Sequence, residues 1–201
     1  RWRQDTTELK DMGLRWLALS FEVATMIQSG LRGAERVSEL VQSMRSYSHL
    51  DRGAKQLVDI HQGIEDTIQL LSHKLKQGIQ IERNYDPSLP QIQAFGSELN
   101  QVWTNLIDNS IDAVIGKGKI EIVTTNKGDR LAVKIIDSGS GIPPEIHSRI
   151  FEPFFTTKTI GKGSGLGLDA VRRIVENRHL GSITIESELD MTCFVVCLPV
   201  N

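Results

Sequence analysis

Residues 97–115 read Ser97-Glu98-Leu99-Asn100-Gln101-Val102-Trp103-Thr104-Asn105-Leu106-Ile107-Asp108-Asn109-Ser110-Ile111-Asp112-Ala113-Val114-Ile115. Leu99, Val102, Trp103, Leu106, Ser110 and Val114 recur at helical spacing on one stripe, and Ser97 stands where an N-cap residue would close the first turn. The pattern predicts a helix over about 97–115. Asn105, Asn109 and Asp112 fall within about 40° of one another on the helical wheel, with Asp108 adjoining. A solvated face is the plain reading of such a stripe. Asparagine is nonetheless a weak helix former, and two of them one turn apart in mid-helix point to a use for their side chains. Carboxamide oxygens are hard ligands that suit Mg²⁺, an ion that keeps most of its waters and bridges phosphates.

Working downstream, strands are expected near 119–126 and 130–137, joined by a hairpin turn at Asn126-Lys127-Gly128-Asp129. Asp137 ends the second strand and is followed by Ser138-Gly139-Ser140-Gly141-Ile142-Pro143. An Asp before glycines is often only a turn former. Here the glycines also allow a flat ligand to approach, an ionised carboxylate accepts from an exocyclic amine such as adenine's, and Ile142 supplies an apolar wall.

Residues 138–167 are rich in glycine and proline with little periodicity, a loop length usually reserved for function. Its end, Gly161-Lys162-Gly163-Ser164-Gly165-Leu166-Gly167-Leu168, runs directly into an expected helix near 167–178. Alternating glycines leave backbone N–H groups unobstructed, and a helix N-terminus adds a positive dipole end, so the segment can cradle phosphates. It is neither a Walker A loop nor G-x-G-x-x-G, because Gly163 follows Lys162 and Leu168 stands at the third glycine position.

Upstream, a helix is expected near 61–77 and strands near 79–85 and 91–95, and the chain closes with strands near 182–187 and 192–199. Helices and strands alternate from about residue 56 onward, which implies a mixed layered architecture. Residues 1–50 contain no proline and read instead as two helices, roughly 6–28 and 31–49, interrupted at Gly30 and Gly33. The stripe Val37, Leu40, Val41, Met44 and Tyr47 either packs on the rest of the chain or forms a helix–helix dimer seam. Two domains are therefore expected, 1–55 and 56–201.

The 201 residues carry a formal net charge of -2, against the strongly basic balance of nucleic-acid-binding domains, and no apolar run approaches the length of a membrane span. Neither nucleic acid nor membrane is an expected partner. Cys193 and Cys197 lie four apart on an expected strand, roughly 13 Å, too far to bridge, and neither has metal-ligand spacing. A reducing, cytoplasmic setting fits. The first residue is Arg1 and no signal-peptide pattern follows, so a piece of a longer protein is expected.

Taken in order, these clusters resemble the nucleotide-binding domain shared by gyrase, heat-shock chaperone ATPases, mismatch-repair ATPases and sensor histidine kinases. Asn105 to Ala113 is similar to the N box and Asp137-Ser138-Gly139-Ser140-Gly141 to the G1 box. Phe151-Glu152-Pro153-Phe154-Phe155-Thr156-Thr157-Lys158 resembles the F box of histidine kinases, and Gly163 to Leu168 the G2 box. The resemblance covers about 56–200, and Glu35 to Asp51 resembles the second helix of the dimerisation and phosphotransfer domain.

The resemblance implies an α+β fold: a two-layer α/β sandwich with a mixed sheet covered on one face by helices, preceded by a helical dimerisation segment. It implies ATP and Mg²⁺ as cofactors, with Asn109 on the metal and Asp137 on the adenine amine. Asn105, Asp112, Gly139, Gly141, Ile142, Phe154, Thr157, Lys158, Gly163, Ser164, Gly165, Leu166, Gly167, Leu168 and Thr192 would complete the nucleotide site. Asn105 and Lys158 are the catalytic candidates, and the lid from Lys158 to Gly167 would close over the phosphates. The implied partners are a second copy through the N-terminal helices, an upstream phosphoacceptor helix and a response regulator. The implied function is transfer of the ATP γ-phosphoryl group to a histidine outside this fragment, as the catalytic portion of a two-component sensor histidine kinase.

Two departures qualify that implication. None of His49, His61, His73, His147 or His179 has the acidic neighbour and downstream proline of a phosphoacceptor box, and Ser20-Phe21-Glu22-Val23, with Phe21 in the histidine's place, is read as coincidence. The fragment alone is therefore not expected to autophosphorylate, and a degenerate nucleotide sensor or scaffold is the alternative. Ser187-Glu188-Leu189-Asp190-Met191-Thr192 also lacks the glycines that the family often places before that threonine. Asn105 stands where the gyrase-like ATPases carry a glutamate that activates water; an amide cannot act as that base, so hydrolysis should be slow. Transfer to a positioned acceptor relies instead on metal, positioning and charge stabilisation.

Overall fold

The computed structural model describes residues 12–30, 33, 54–75, 78–158 and 163–200. The chain divides into two compact units, Arg1–Ser48 with Lys158–Ser164, and His49–Thr157 with Gly165–Asn201.

In the first unit residues 12–30 form one helix, α1, exposed at every position. Met12, Leu14, Trp16, Leu17, Leu19, Phe21, Val23, Met26 and Ile27 all project apolar surface into solvent. Ser20 and Thr25 donate back to the Trp16 and Phe21 carbonyls, both at 2.8 Å, and so satisfy their hydroxyls within the helix. The expected second helix and its stripe from Val37 to Tyr47 lie outside the described residues, apart from helical Gly33.

The second unit carries the sheet. Its strands are β1 (Gln56–Val58), β2 (Ile79–Asn84), β3 (Ile92–Ala94), β4 (Gly118–Asn126), β5 (Arg130–Asp137), β6 (Ser182–Glu188) and β7 (Met191–Pro199). Its helices are α2 (Ile60–Leu70), α3 (Ser72–Leu75), α4 (Gly96–Ala113) and α5 (Gly167–Arg172), the last continuing as a π-helical turn over Arg173–Arg178. Five strands form a sheet in the order β2-β4-β5-β7-β6, parallel between β2 and β4 and antiparallel elsewhere, while β1 and β3 pair in a separate ribbon.

Period-two alternation places Ile120 and Ile122 of β4, Leu131, Val133 and Ile135 of β5, and Phe194, Val196 and Leu198 of β7 in one core. Ile60 and Ile64 of α2, Leu99, Val102, Trp103 and Leu106 of α4, and Val171 of α5 pack into the same cluster. Helices cover one face of a mixed sheet, the expected two-layer α+β arrangement. Each fully buried aliphatic side chain here stabilises by roughly 1.5–3 kcal/mol. That burial fixes α4, whose opposite stripe carries the asparagines.

Local chemistry corrects three details. The helix over 96–113 begins at Gly96, so Ser97 lies inside its first turn and Phe95 holds the N-cap position with no side-chain cap. The Phe95 N–H donates to His179 Nε2 at 3.2 Å, which ties the start of this helix to the end of the π-helical turn. The helix expected over 61–77 ends at Leu70, where Leu71 closes it by donating to the Thr67 carbonyl at 3.0 Å and α3 restarts. The helix after Gly167 loses α geometry at Arg173, and His179 ends it by directing Nδ1 at the Ile174 carbonyl, 2.9 Å away. The hairpin turn forms as its residues dictate, with Gly128 at φ +83° and Lys127 N–H on the Arg130 carbonyl at 2.8 Å.

Candidate nucleotide-binding site

Asp137 closes β5 on the helix-covered face and is 2% exposed. Across the β5–β7 ladder its register partner is Thr192, also 2% exposed. The Asp137 Oδ1 accepts from the Gly139 N–H at 3.0 Å. Burial raises the carboxyl above its ordinary value, opposed by the Gly139 N–H and by Ser110. Ser110 belongs to the apolar stripe of α4, yet its hydroxyl is buried and closes no hydrogen bond of good geometry with any described residue. A buried carboxylate with unused acceptor capacity beside an unpartnered buried hydroxyl is a seat for a polar ligand that donates. The residues therefore fit an exocyclic amine.

The glycine loop after Asp137 is pressed between two neighbours. A Cβ on Gly139 would meet Ala113 Cβ at 2.7 Å, so the loop lies against the end of α4. Gly141 has φ +74°, and a Cβ there would overlap the Glu188 carbonyl of the β6–β7 hairpin. Ile142, half-buried against the core, donates its N–H to Ser187 Oγ at 2.8 Å, and its carbonyl faces His147 Nε2 at 2.8 Å. Asp137, Gly139, Gly141, Ile142 and Thr192 are thus brought together.

On α4, Asn105 and Asn109 are half-buried and Asp112 is exposed. Gly167 lies against Asn105, since a Cβ on it would stand 3.3 Å from Asn105 Oδ1. The expected amide stripe therefore meets the start of α5, whose first turn has Leu166 before it and no side-chain cap. Asp108 is held aside by an ion pair with Lys74. Among the described residues no group of three or more His, Cys, Asp or Glu side chains is placed to hold a metal by itself.

The F-box segment contributes Phe154, exposed and in the left-handed region at φ 66°. Gly165 packs on that residue's backbone so closely that a Cβ would overlap it, and its own φ of +68° requires glycine. Phe151 and Phe155 are half-buried, with the guanidinium of Arg149 4.6 Å from the Phe155 ring. Thr157 is exposed, and Leu168 packs on the core. Lys158, Gly163 and Ser164 belong to the first unit, and Gly161 and Lys162 lie outside the described residues.

Three contributors were missed from sequence. Ser110 sits on a stripe of core residues, and only its unpartnered hydroxyl marks it out. Ser187 and His147 reach Ile142 from other segments, and no spacing rule announces such contacts. An open cleft of about 520 Å³ lined by Gln62, Glu65, Gln69, Leu75, Ile79 and Arg83 lies on α2, α3 and β2 and shares no residue with this site.

A mixed five-stranded sheet with helices on one face, a buried Asp at a strand end and a glycine loop between helix and hairpin define a nucleotide-binding α+β domain. Residues 96–201 match the family described as histidine kinase-, DNA gyrase B-, and HSP90-like ATPase. The chain belongs to that family, and its second unit is a catalytic ATP-binding domain of the sensor histidine kinase type. It is 33% identical over 183 residues to the sensory histidine kinase/phosphatase NtrB of Rhizobium leguminosarum bv. phaseoli, covering 83% of this chain and 47% of that protein. To the sensor histidine kinase ZraS of Escherichia coli K12 it is 34% identical over 182 residues, covering 90% of this chain and 38% of that one. The chain thus spans about half or less of the curated relatives it matches. The solved catalytic domain of histidine kinase ThkA superposes with a TM-score of 0.68 at 32% identity, covering 73% of this chain and 96% of that one. ThkA in complex with the response regulator protein TrrA gives 0.71 at 28% identity, covering 84% of this chain and 48% of that one. Among the described residues no helix is long and apolar enough to cross a membrane.

Proposed function

We propose that this chain binds Mg·ATP and transfers the γ-phosphoryl group to a histidine carried outside residues 1–201. The observation that carries this is Asp137, buried to 2% exposure with acceptor capacity to spare, beside Thr192 and the unpartnered Ser110 hydroxyl. Burying an ionised carboxylate without full hydrogen bonding costs stability, and an amine donor supplied by adenine offsets that cost. Ile142 forms the apolar wall, and the loop Gly139–Gly141 lets the ring approach.

Asn109 would ligate Mg²⁺, with Asp112 near it on α4, and the phosphates and water would complete the shell; when bound, the ion neutralises charge on the transferring group. Gly165, Leu166, Gly167 and Leu168 would offer N–H groups to the phosphates. Phe154 and Thr157 would border the same site. Asn105 orients by hydrogen bonding and cannot abstract a proton from water, which favours transfer to a positioned acceptor over hydrolysis. The exposed apolar α1 supports pairing of two copies through their N-terminal helices, and ThkA's complex with TrrA supports a response regulator as the downstream partner.

The test is incubation of the protein in its full natural length with γ-labelled ATP and Mg²⁺. Acid-labile, base-stable label on a histidine is the expected result. Tight nucleotide binding with no labelled histidine would favour a sensor or scaffold module.

A further inference from the structure

Both backbone polar groups of Ile142 are held by side chains from elsewhere in the fold. Its N–H donates to Ser187 Oγ at 2.8 Å, from a residue 45 positions later at the end of β6. Its carbonyl can only accept, so His147 Nε2, 2.8 Å away, carries the proton of that bond. Ser187 spends its own proton on the Met191 carbonyl at 2.9 Å, which leaves an oxygen lone pair for the Ile142 N–H. Thr192 Oγ1 lies 3.4 Å from the same oxygen. One residue earlier, Gly141 passes against the Glu188 carbonyl with no room for a side chain. At its one apolar residue the glycine loop is thus pinned from two directions.

We propose that Ser187 and His147 are positioning residues for base recognition: they fix the Ile142 wall against which the adenine ring lies and so set the affinity for the base. This rests on reading the site as a nucleotide site. Neither residue is placed on the phosphates, which fall to α4 and the segment before α5. Loosening the clamp should therefore weaken ligands that carry a base and spare ligands that do not.

The test is calorimetric titration of the chain and its variants with Mg²⁺ plus AMP-PNP, and with Mg²⁺ plus inorganic tripolyphosphate. Ser187→Ala and His147→Leu should each weaken AMP-PNP roughly five- to tenfold while tripolyphosphate stays within about twofold. Ser187→Thr, which keeps the hydroxyl, and His147→Gln, which keeps an N–H donor, should restore AMP-PNP binding to within about twofold of the parent. Folded variants that bind AMP-PNP like the parent, or that lose AMP-PNP and tripolyphosphate by one factor, would overturn the assignment. If Ser187→Ala does not fold, His147→Leu and amide exchange at Ile142 in the parent decide: slow exchange supports the clamp, and exchange at the rate of an open loop overturns it. A parent chain that binds no AMP-PNP would overturn the nucleotide-site reading itself, an outcome distinct from intact parent binding with unaffected variants.

Discussion

Asp137 and Thr192 face each other across the β5–β7 ladder, both buried to 2% exposure, with an unpartnered serine hydroxyl from α4 between the sheet and the helix layer. Polar side chains at such depth destabilise a fold unless something is gained from them. Here the gain is a donor-seeking seat at the base of a glycine loop.

Asp137→Asn separates stability from binding. Burial raises the folded-state carboxyl, so the native state holds its proton longer than the unfolded chain does. Stability is then greatest below the unfolded carboxyl value and falls as pH rises through the raised folded value. The amide keeps an oxygen for the Gly139 N–H and cannot ionise. Thermal unfolding at neutral pH should show Asp137→Asn at least as stable as the parent, and the variant should lose the parent's decline as pH rises through the carboxyl's raised folded value.

His179 predicts a slope of the opposite sign. Burial lowers its folded value below that of a free imidazole, opposed by the Ile174 carbonyl; in the neutral ring Nε2 accepts from the Phe95 N–H and Nδ1 donates to that carbonyl. The unfolded chain takes up a proton first, so stability falls as pH drops below about 6.5. His179→Leu should lower stability by about 1–3 kcal/mol, since it strands the part-buried Phe95 N–H while the Ile174 carbonyl keeps the backbone N–H of residue 179, and should flatten the curve of melting temperature as pH falls below about 6.5.

Asn109→Ala reports on the metal. If the carboxamide acts through the ion, nucleotide affinity should fall roughly tenfold or more in Mg²⁺ and by less than about twofold in EDTA. Equal losses with and without Mg²⁺ would assign Asn109 to another contact.

The exposed face of α1 predicts self-association. Trp16, Leu19, Val23 and Met26 are each more than half exposed, an apolar surface that monomeric proteins rarely leave bare. Sedimentation at tens of micromolar should show a dimer, and Leu19→Glu with Val23→Glu should shift it to monomer without changing AMP-PNP affinity.

The layered α+β architecture was legible because its signals are local: β4 alternates at period two, β5 and β7 are short β-branched apolar runs, and α4 carries a clean apolar stripe. The candidate site was legible where glycine or an acid broke that rhythm, at Asp137, Gly139, Gly141 and Gly165, residues whose backbone placement needs glycine or whose carboxyl is buried. Contacts between distant segments were not. Phe95, not Ser97, holds the N-cap position, and its N–H meets a histidine 84 residues away. Leu71 divided an otherwise continuous helical pattern through its own backbone closure, and Ser110 looked like a small core residue until its hydroxyl proved unpartnered. Ser187 and His147 meet at Ile142 only after the hairpin folds onto the loop.

The central claim is that Asp137 reads the base of a bound nucleotide, and calorimetric titration of Mg²⁺ and AMP-PNP into the parent and Asp137→Asn tests it directly. The account predicts saturable binding by the parent and at least a tenfold loss in a variant that is folded and no less stable. Equal affinity in the two proteins, or no binding by the parent, would contradict it.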